Sequence, residues 1–259
     1  MTARMTWTCA ALMVAVAGSA AGQTVDDARG SDTQLGASFV GSTGNARATT
    51  MGADFSMNYR RSPWKFETAF NAVRIAGRDA QGIERYLESA RIRRNLTSRV
   101  GVTGGERLEH DPLAGMDFRS IVDGGLEWKF VQKPEWTLDG ITALAWNHER
   151  PAPLLDSKLP VKDADAPIAF LQLRSRIPLG KGGETKQRVT AYPNLREAAL
   201  ARFEAEVTVQ ASMSDRLALK LGYLARYTHR PVARFGTTDG TATASVVVKW
   251  KTTEAAKAP

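Results

Sequence analysis

Three histidines, His110, His148 and His229, are the residues best suited to bind a metal or move a proton near neutral pH. No two of them stand at the short spacing that metal ligands on one element require, and no Gly-x-Ser-x-Gly elbow or other nucleophile motif accompanies them. The single cysteine, Cys9, lies in a leader that reads as removable, and Trp7-Thr8 before it does not make a lipoprotein box. Thiol chemistry and disulfides are thereby excluded from the mature chain. The glycines Gly52, Gly101, Gly104, Gly105, Gly124, Gly125 and Gly140 fall within strand patterns and open no helix, so they make no phosphate cradle. The reading is a chain with no catalytic residue, no metal site and no cofactor. An outer-membrane hydrolase is the remote alternative.

The sequence offers instead charge in a regular pattern. Arg202, Glu204, Glu206, Thr208, Gln210 and Ser212 alternate with Ala201, Phe203, Ala205, Val207, Val209, Ala211 and Met213. A period of two over this length is a β-strand with one polar and one apolar face. After Ser214-Asp215 the pattern resumes, with Leu217, Leu219, Leu221, Tyr223 and Tyr227 set against Arg216, Lys220, Arg226 and Thr228. Asp54 and Asn58 hold the polar parity near residue 55, and Arg119, Asp123 and Glu127 hold it near residue 123. In a closed sheet with its apolar face outward, Asp54, Asn58, Arg119, Asp123, Glu127, Arg202, Glu204, Glu206, Arg216, Lys220 and Arg226 would face the lumen. Opposite charges there can pair and fill the interior, whereas a ring of one sign would select ions. A packed lumen and a narrow water-filled pore both stay open. If a path exists, the sector of Arg202, Arg216, Lys220 and Arg226 should favour anions slightly.

The elements that would position these groups form an all-β chain, a transmembrane antiparallel up-and-down barrel. Counting hairpins gives twelve strands, with ten as the alternative, near 33–41, 46–60, 64–76, 84–96, 99–109, 116–131, 135–148, 166–178, 187–193, 198–213, 216–229 and 241–250. Parity is ambiguous in 84–109 and 166–193. Several strands run longer than the five or six residues usual in soluble sheets. Reversals alternate between tight ones, as at Arg61-Ser62 and Ser214-Asp215, and long ones near 77–83, 149–165 and 230–240. Short turns on one side and long loops on the other are the asymmetry of an outer-membrane barrel. Tyr59, Trp64, Trp128, Phe130, Trp136 and Trp250 gather at the short-turn ends as a lower interfacial girdle. Trp146 and Tyr227, with Tyr86, are candidates for the upper one.

Arg4, the apolar run Ala10 to Ala17 and the small residues Ser19-Ala20-Ala21-Gly22 read as a cleaved signal peptide over 1–22. A short periplasmic segment, 23–32, a barrel, 33–250, and a periplasmic tail, 251–259, follow. The formal charge of +8 would suit a nucleic-acid binder, but export excludes that partner. Arg85, Arg91, Arg93, Arg94 and Arg99 concentrate the excess and read as solvated or lumen-facing wall residues. The expected surroundings are outer-membrane lipid, lipopolysaccharide and the barrel assembly machinery.

The chain resembles the salt-induced outer-membrane proteins, the YdiY-like group of Gram-negative bacteria, over about 33–250. The likeness is carried by the Gly44-Asn45 turn, by Asn58-Tyr59-Arg60, and by Gly115-Met116-Asp117-Phe118-Arg119-Ser120. Its most specific piece is Ser214-Asp215-Arg216-Leu217-Ala218-Leu219-Lys220, running on to Tyr223, Tyr227 and Pro231. The resemblance implies a porin-like outer-membrane barrel of uncharacterised role, linked to salt or osmotic response, and brings no catalytic or binding residues. Such barrels commonly end on an aromatic residue. Here Trp250 closes the last strand pattern and Lys251 to Pro259 follow. A small channel and a structural or envelope-stress barrel are the two leading functions.

Overall fold

A computed structural model describes residues 29–43, 48–75, 83–152, 163–180, 182–197, 200–231 and 235–254. The expected signal peptide and the Gly44-Asn45 turn lie outside the described residues, as do most of the expected long loops. Twelve strands form one closed antiparallel barrel: β1 (Arg29–Thr43), β2 (Ala48–Arg61), β3 (Trp64–Ile75), β4 (Ile83–Asn95), β5 (Val100–Asp111), β6 (Met116–Lys133), β7 (Trp136–Pro151), β8 (Ala164–Leu179), β9 (Gly183–Tyr192), β10 (Arg202–Ser212), β11 (Leu217–Thr228) and β12 (Thr238–Glu254). Each strand pairs with its sequence neighbours, and β1 pairs with β12 from Arg29↔Glu254 to Thr43↔Gly240. Closure removes both sheet edges, leaving no unpaired ladder to face lipid.

Several strand ends differ by a few residues from the sequence expectation, and three of these shifts have a visible cause. β1 starts at Arg29, inside the segment 23–32 expected to precede the barrel, and β12 does not end at Trp250 but continues to Glu254. The cause is mutual. The register Arg29↔Glu254, Gly30↔Thr253, Ser31↔Thr252 and Asp32↔Lys251 lets each polar extension supply the other's hydrogen bonds. β9 begins at Gly183 instead of near residue 187, because Gly180 at φ +62° takes the left-handed conformation that a tight β8–β9 reversal needs.

The outward wall is apolar over most of its area. Leu144 is 70% exposed and Met51 78%, and Val207, Leu221, Val246 and Leu173 stand out beside them. A water-soluble protein does not present so continuous an apolar surface, whereas lipid solvates it. Tyr59, Trp64, Phe130, Trp136 and Trp250 are exposed at the short-turn end and Trp128 is half-buried there, its Nε1 donating to Thr142 Oγ1 at 2.9 Å. Phe130 lies over Gly140, where a Cβ would sit 2.6 Å from its ring. Near the loop end Tyr86, Trp146 and Tyr227 face outward, with Phe70 stacked on Tyr86 and Phe203 tilted against Tyr227. Carboxylates break the apolar wall in mid-strand: Glu88 and Glu106 are exposed on the outward parity of β4 and β5.

The interior is unequally filled. Against β6–β9 lies a core of Ile121, Ile141, Ala143, Ala145, Ile168, Phe170 and Tyr192, all buried. Ile168 and Phe170 of β8 and Tyr192 of β9 thus turn inward, whereas Gln172, Arg174 and Arg188 share that same face, which is why alternation in 166–193 gives no parity. In 84–109 the converse holds: arginines line the inward face while Glu88 and Glu106 stand on the outward one.

Two outcomes are expected of this architecture. Purified mature protein should migrate at different apparent sizes before and after boiling and give a β-rich circular dichroism spectrum; recovery as a soluble periplasmic protein without that shift would overturn the transmembrane fold. Val207→Arg, on the outward face in mid-strand, should cost roughly 2 to 4 kcal/mol in lipid. Thr208→Arg, which turns toward an internal cavity, should cost much less. Denaturant titration in lipid vesicles reads both, and equal losses would mean the faces are reversed.

Candidate functional site in the barrel lumen

A side chain on β5 can reach one on β10 only through the interior, so ion pairs between non-adjacent strands map the lumen directly. Near the loop end, Glu109 of β5 accepts from three guanidinium groups: Arg107 at 2.7 Å, Arg119 at 3.1 Å and Arg226 of β11 at 3.1 Å. Arg107 also donates to Glu204 of β10 at 2.9 Å and to the Tyr192 hydroxyl at 2.9 Å. Arg226 also donates to Asp111 at 3.2 Å, and its Nε lies 3.4 Å from Glu204. Arg85 meets Asp111 at 3.3 Å, and Arg202 donates to Glu149 at 2.7 Å. Five arginines thus face four carboxylates in one layer, all but the Arg202–Glu149 pair joined in a single network. Most of these groups are buried or nearly so, and burial of an ion is tolerated only with this density of partners. Arg119 additionally lies 5.1 Å over the Tyr192 ring.

Toward the short turns the interior is crossed again. Arg174 of β8 reaches Glu127 at 2.6 Å and Glu67 of β3 at 3.3 Å, and Arg93 pairs with both carboxylates. Between the layers Arg91 of β4 bridges to Asp123 of β6 at 2.8 Å, passing over Gly105 of β5, which stands opposite both. A Cβ on Gly105 would lie 2.5 Å from the Arg91 guanidinium. Gly36 serves Asp54 in the same manner, leaving room for its carboxylate to lean across β1 toward Lys220 at 3.2 Å. The strand glycines at these two positions therefore make space for ion pairs that span more than one strand.

The residues singled out by alternation distribute as follows. Asp54 pairs with Lys220, Asp123 with Arg91, Glu127 with Arg93 and Arg174, and Glu206 with Arg188. Arg119, Arg202, Glu204 and Arg226 belong to the loop-end layer. Asn58 is half-buried on the inward parity, in register between Asp32 and Glu67. Arg216 is a correction: it is exposed in the β10–β11 turn, where its carbonyl accepts from Lys249 N at 2.7 Å. The strand starts one residue later, at Leu217, so parity could not carry Arg216 inward. The anion-favouring sector loses its basis, since Arg202, Lys220 and Arg226 are each matched by a carboxylate.

Sequence reasoning did not single out Glu67, Arg85, Arg107, Glu109, Asp111, Glu149, Arg174 or Tyr192 as site residues. For Glu109 and Arg107 the parity signal was masked by Glu106 and His110 on the other face. Of the arginine-rich run, Arg85, Arg91 and Arg93 turn inward, whereas Arg94 lies 5.5 Å over the Trp64 ring and Arg99 is exposed in a turn.

Beside the ion pairs, against β1–β3 and β9–β12, lies a cavity of about 190 Å³ lined by Ser38, Asn71, Thr208, Thr241, Thr243 and Ser245 among others. Ser38 Oγ, Asp54 Oδ2, Arg107 Nε and Arg226 Nε border it as buried atoms without a protein hydrogen-bond partner. A wall of this kind calls for water or a polar solute. A second cavity, of about 40 Å³, lies toward the loops, bordered by Met116, Pro231 and Asp239. Glu204 and Arg226 border both, so their pair forms a septum between them.

The three histidines stay outside the lumen. His110 stacks on Tyr86, His148 tilts against Phe118 and bonds Asp165 at 2.8 Å, and His229 contacts the Tyr227 ring. Among the described residues no group of three or more His, Cys, Asp or Glu could hold a metal ion.

The fold is similar to the translocator domain of autotransporter NalP from Neisseria meningitidis, at 10% identity and a TM-score of 0.50, covering 85% of this chain and 88% of that one. Weaker similarities reach a KdgM porin in complex with disordered oligogalacturonate, at 7% identity and a TM-score of 0.45 over 84% and 99% of the two chains. An anion-selective porin from Comamonas acidovorans gives 9% identity and a TM-score of 0.39 over 86% and 98%. At these identities the likeness is one of fold. Among curated proteins none matches the chain. A family model does match, across residues 35–250 and so from β1 into β12, and the chain belongs to that family, described as "Protein of unknown function, DUF481".

Proposed function

We propose that the protein resides in the outer membrane as a narrow passive pore for water and small polar solutes, held nearly shut by the Arg226–Glu204 septum. The observation that carries this reading is the polar cavity of about 190 Å³, lined by hydroxyls and by charged side chains, and set against a layer of ion pairs. Twelve strands leave less room than the 16 to 18 of wide aqueous porins. The side chains of β5, β8 and β11 use most of that room. With charges paired, the pore should discriminate weakly between anions and cations. A link to salt or osmotic stress is the part of this proposal that rests on the family resemblance. Catalysis has no part in it, because the histidines engage outward-facing rings.

The alternative is a structural barrel without transport, favoured by the apolar cluster around Ile121, Ile141 and Phe170 that fills the β6–β9 side. Planar-bilayer recording separates the two. Wild-type protein is expected to conduct well below the nanosiemens scale. Arg226→Ser combined with Glu204→Ser removes one charge of each sign and should raise conductance several-fold. A large wild-type conductance, or silence in both proteins once shown to be folded, would overturn the pore. Glu109→Gln weakens the shared acceptor of three guanidinium groups and should lower stability by about 3 to 5 kcal/mol. A denaturant midpoint unchanged from wild type would mean the loop-end layer does not hold the barrel together.

A further inference from the structure

Among the described residues, exposed basic side chains without an acidic partner gather at the short-turn end of the barrel. Arg60 and Arg61 at the β2–β3 turn, Arg99 at the β4–β5 turn, Lys133 at the β6–β7 turn, Arg216 at the β10–β11 turn and Lys251 on β12 are all exposed. None of the six makes an ion pair among the described residues, and the exposed acids in these turns are Glu135 and Asp215. The loop end is different. Its exposed Arg150 and Arg230 are paired with Asp163 at 3.2 Å and Glu197 at 2.7 Å, and Arg196 lies over the Trp146 ring.

The height of these charges is set by the aromatic residues next to them. Arg60 follows Tyr59, Arg61 stands opposite Trp64 in the ladder, Lys133 stands opposite Trp136, and Lys251 follows Trp250. Tryptophan and tyrosine prefer the boundary between acyl chains and headgroups. Long basic side chains one residue beyond them extend to the plane of the phosphates. Arginine and lysine there attract anionic lipid, and several acting together multiply the effect.

We propose that the short-turn rim is a docking surface for anionic phospholipid headgroups, such as phosphatidylglycerol, in the leaflet on that side. It rests on the transmembrane placement of the lower girdle. The rim holds a shell of acidic lipid around the barrel and anchors its depth in the membrane. The occupant is chosen by charge complementarity and by this height.

Four tryptophans of that girdle, Trp64, Trp128, Trp136 and Trp250, report on the shell directly. The full mature chain is reconstituted in phosphatidylcholine vesicles, and its fluorescence is quenched with brominated phosphatidylglycerol or brominated phosphatidylcholine. The expected result is a several-fold preference for the glycerol lipid at low ionic strength that falls toward parity in high salt. It should disappear in the combined variant Arg60→Gln, Arg61→Gln, Arg99→Gln, Lys133→Gln, Arg216→Gln and Lys251→Gln, whose folding is checked by the heat-dependent gel shift. Equal quenching by the two lipids in wild type, or a preference that survives the six substitutions, overturns the rim proposal. So does salt-sensitive binding to an acidic polymer in detergent with no lipid preference, which would assign the surface to another partner. Absence of quenching by either lipid would instead sink the transmembrane placement itself.

Discussion

Backbone pairing in lipid is the constraint from which the rest of this molecule follows. Hydrocarbon offers no partner to an amide or a carbonyl, so the ladder between β1 and β12 must close the sheet that eleven other pairings build. It does so along the whole of β1 and past the aromatic boundary at Trp250, where Arg29 to Asp32 and Lys251 to Glu254 complete each other. Once the sheet is closed, each strand has one face toward lipid and one toward a confined interior. The outward face then takes Leu144, Val207 and Leu221, and charge is displaced inward.

That displacement creates a second demand, since charges confined in a narrow interior must be matched. The chain meets it with side chains long enough to cross the barrel and with glycines placed where they cross. Arg91 reaches Asp123 because Gly105 presents no Cβ between them, and Asp54 reaches toward Lys220 over Gly36. Glu109, held by three guanidinium groups, ties β5 to β11 and through Arg107 and Glu204 to β10. Such links join parts of the wall that backbone hydrogen bonds leave far apart. They also consume the space through which a solute would pass.

The interior is consequently divided, with apolar packing on the β6–β9 side, a small polar cavity on the other, and ion pairs crossing between them. A pore reading and a structural reading each draw on one half of it. Among the described residues the exposed charge adds a polarity along the barrel axis: paired at the loop end, unpaired at the short turns. That polarity belongs to the turns and the last strand, which neither the lumen nor the lipid-facing wall requires to be basic.

Much of this was legible in the chain itself, where the chemistry of the two faces differs. The segment from Ala201 to Tyr227 states its strands, its hairpin and its inward residues outright, because Val207 and Leu221 can face only lipid and Glu204 and Arg226 cannot. From 84 to 109 the same reasoning failed on Glu88 and Glu106, which place carboxylates on the outward face opposite inward arginines. From 166 to 193 it failed on Ile168, Phe170 and Tyr192, apolar residues turned inward to build a core that no alternation announces. Arg216 was misread because a strand boundary moved by one residue takes a side chain out of the wall. The sequence alone determined the period of two and the closed class of sheet, and it narrowed the strand number to ten or twelve, since each follows from local alternation and from what lipid tolerates. Only the tertiary structure decided which arginine meets which carboxylate, where the cavity lies and how the septum divides it, because those contacts join residues on strands that meet nowhere except across the lumen.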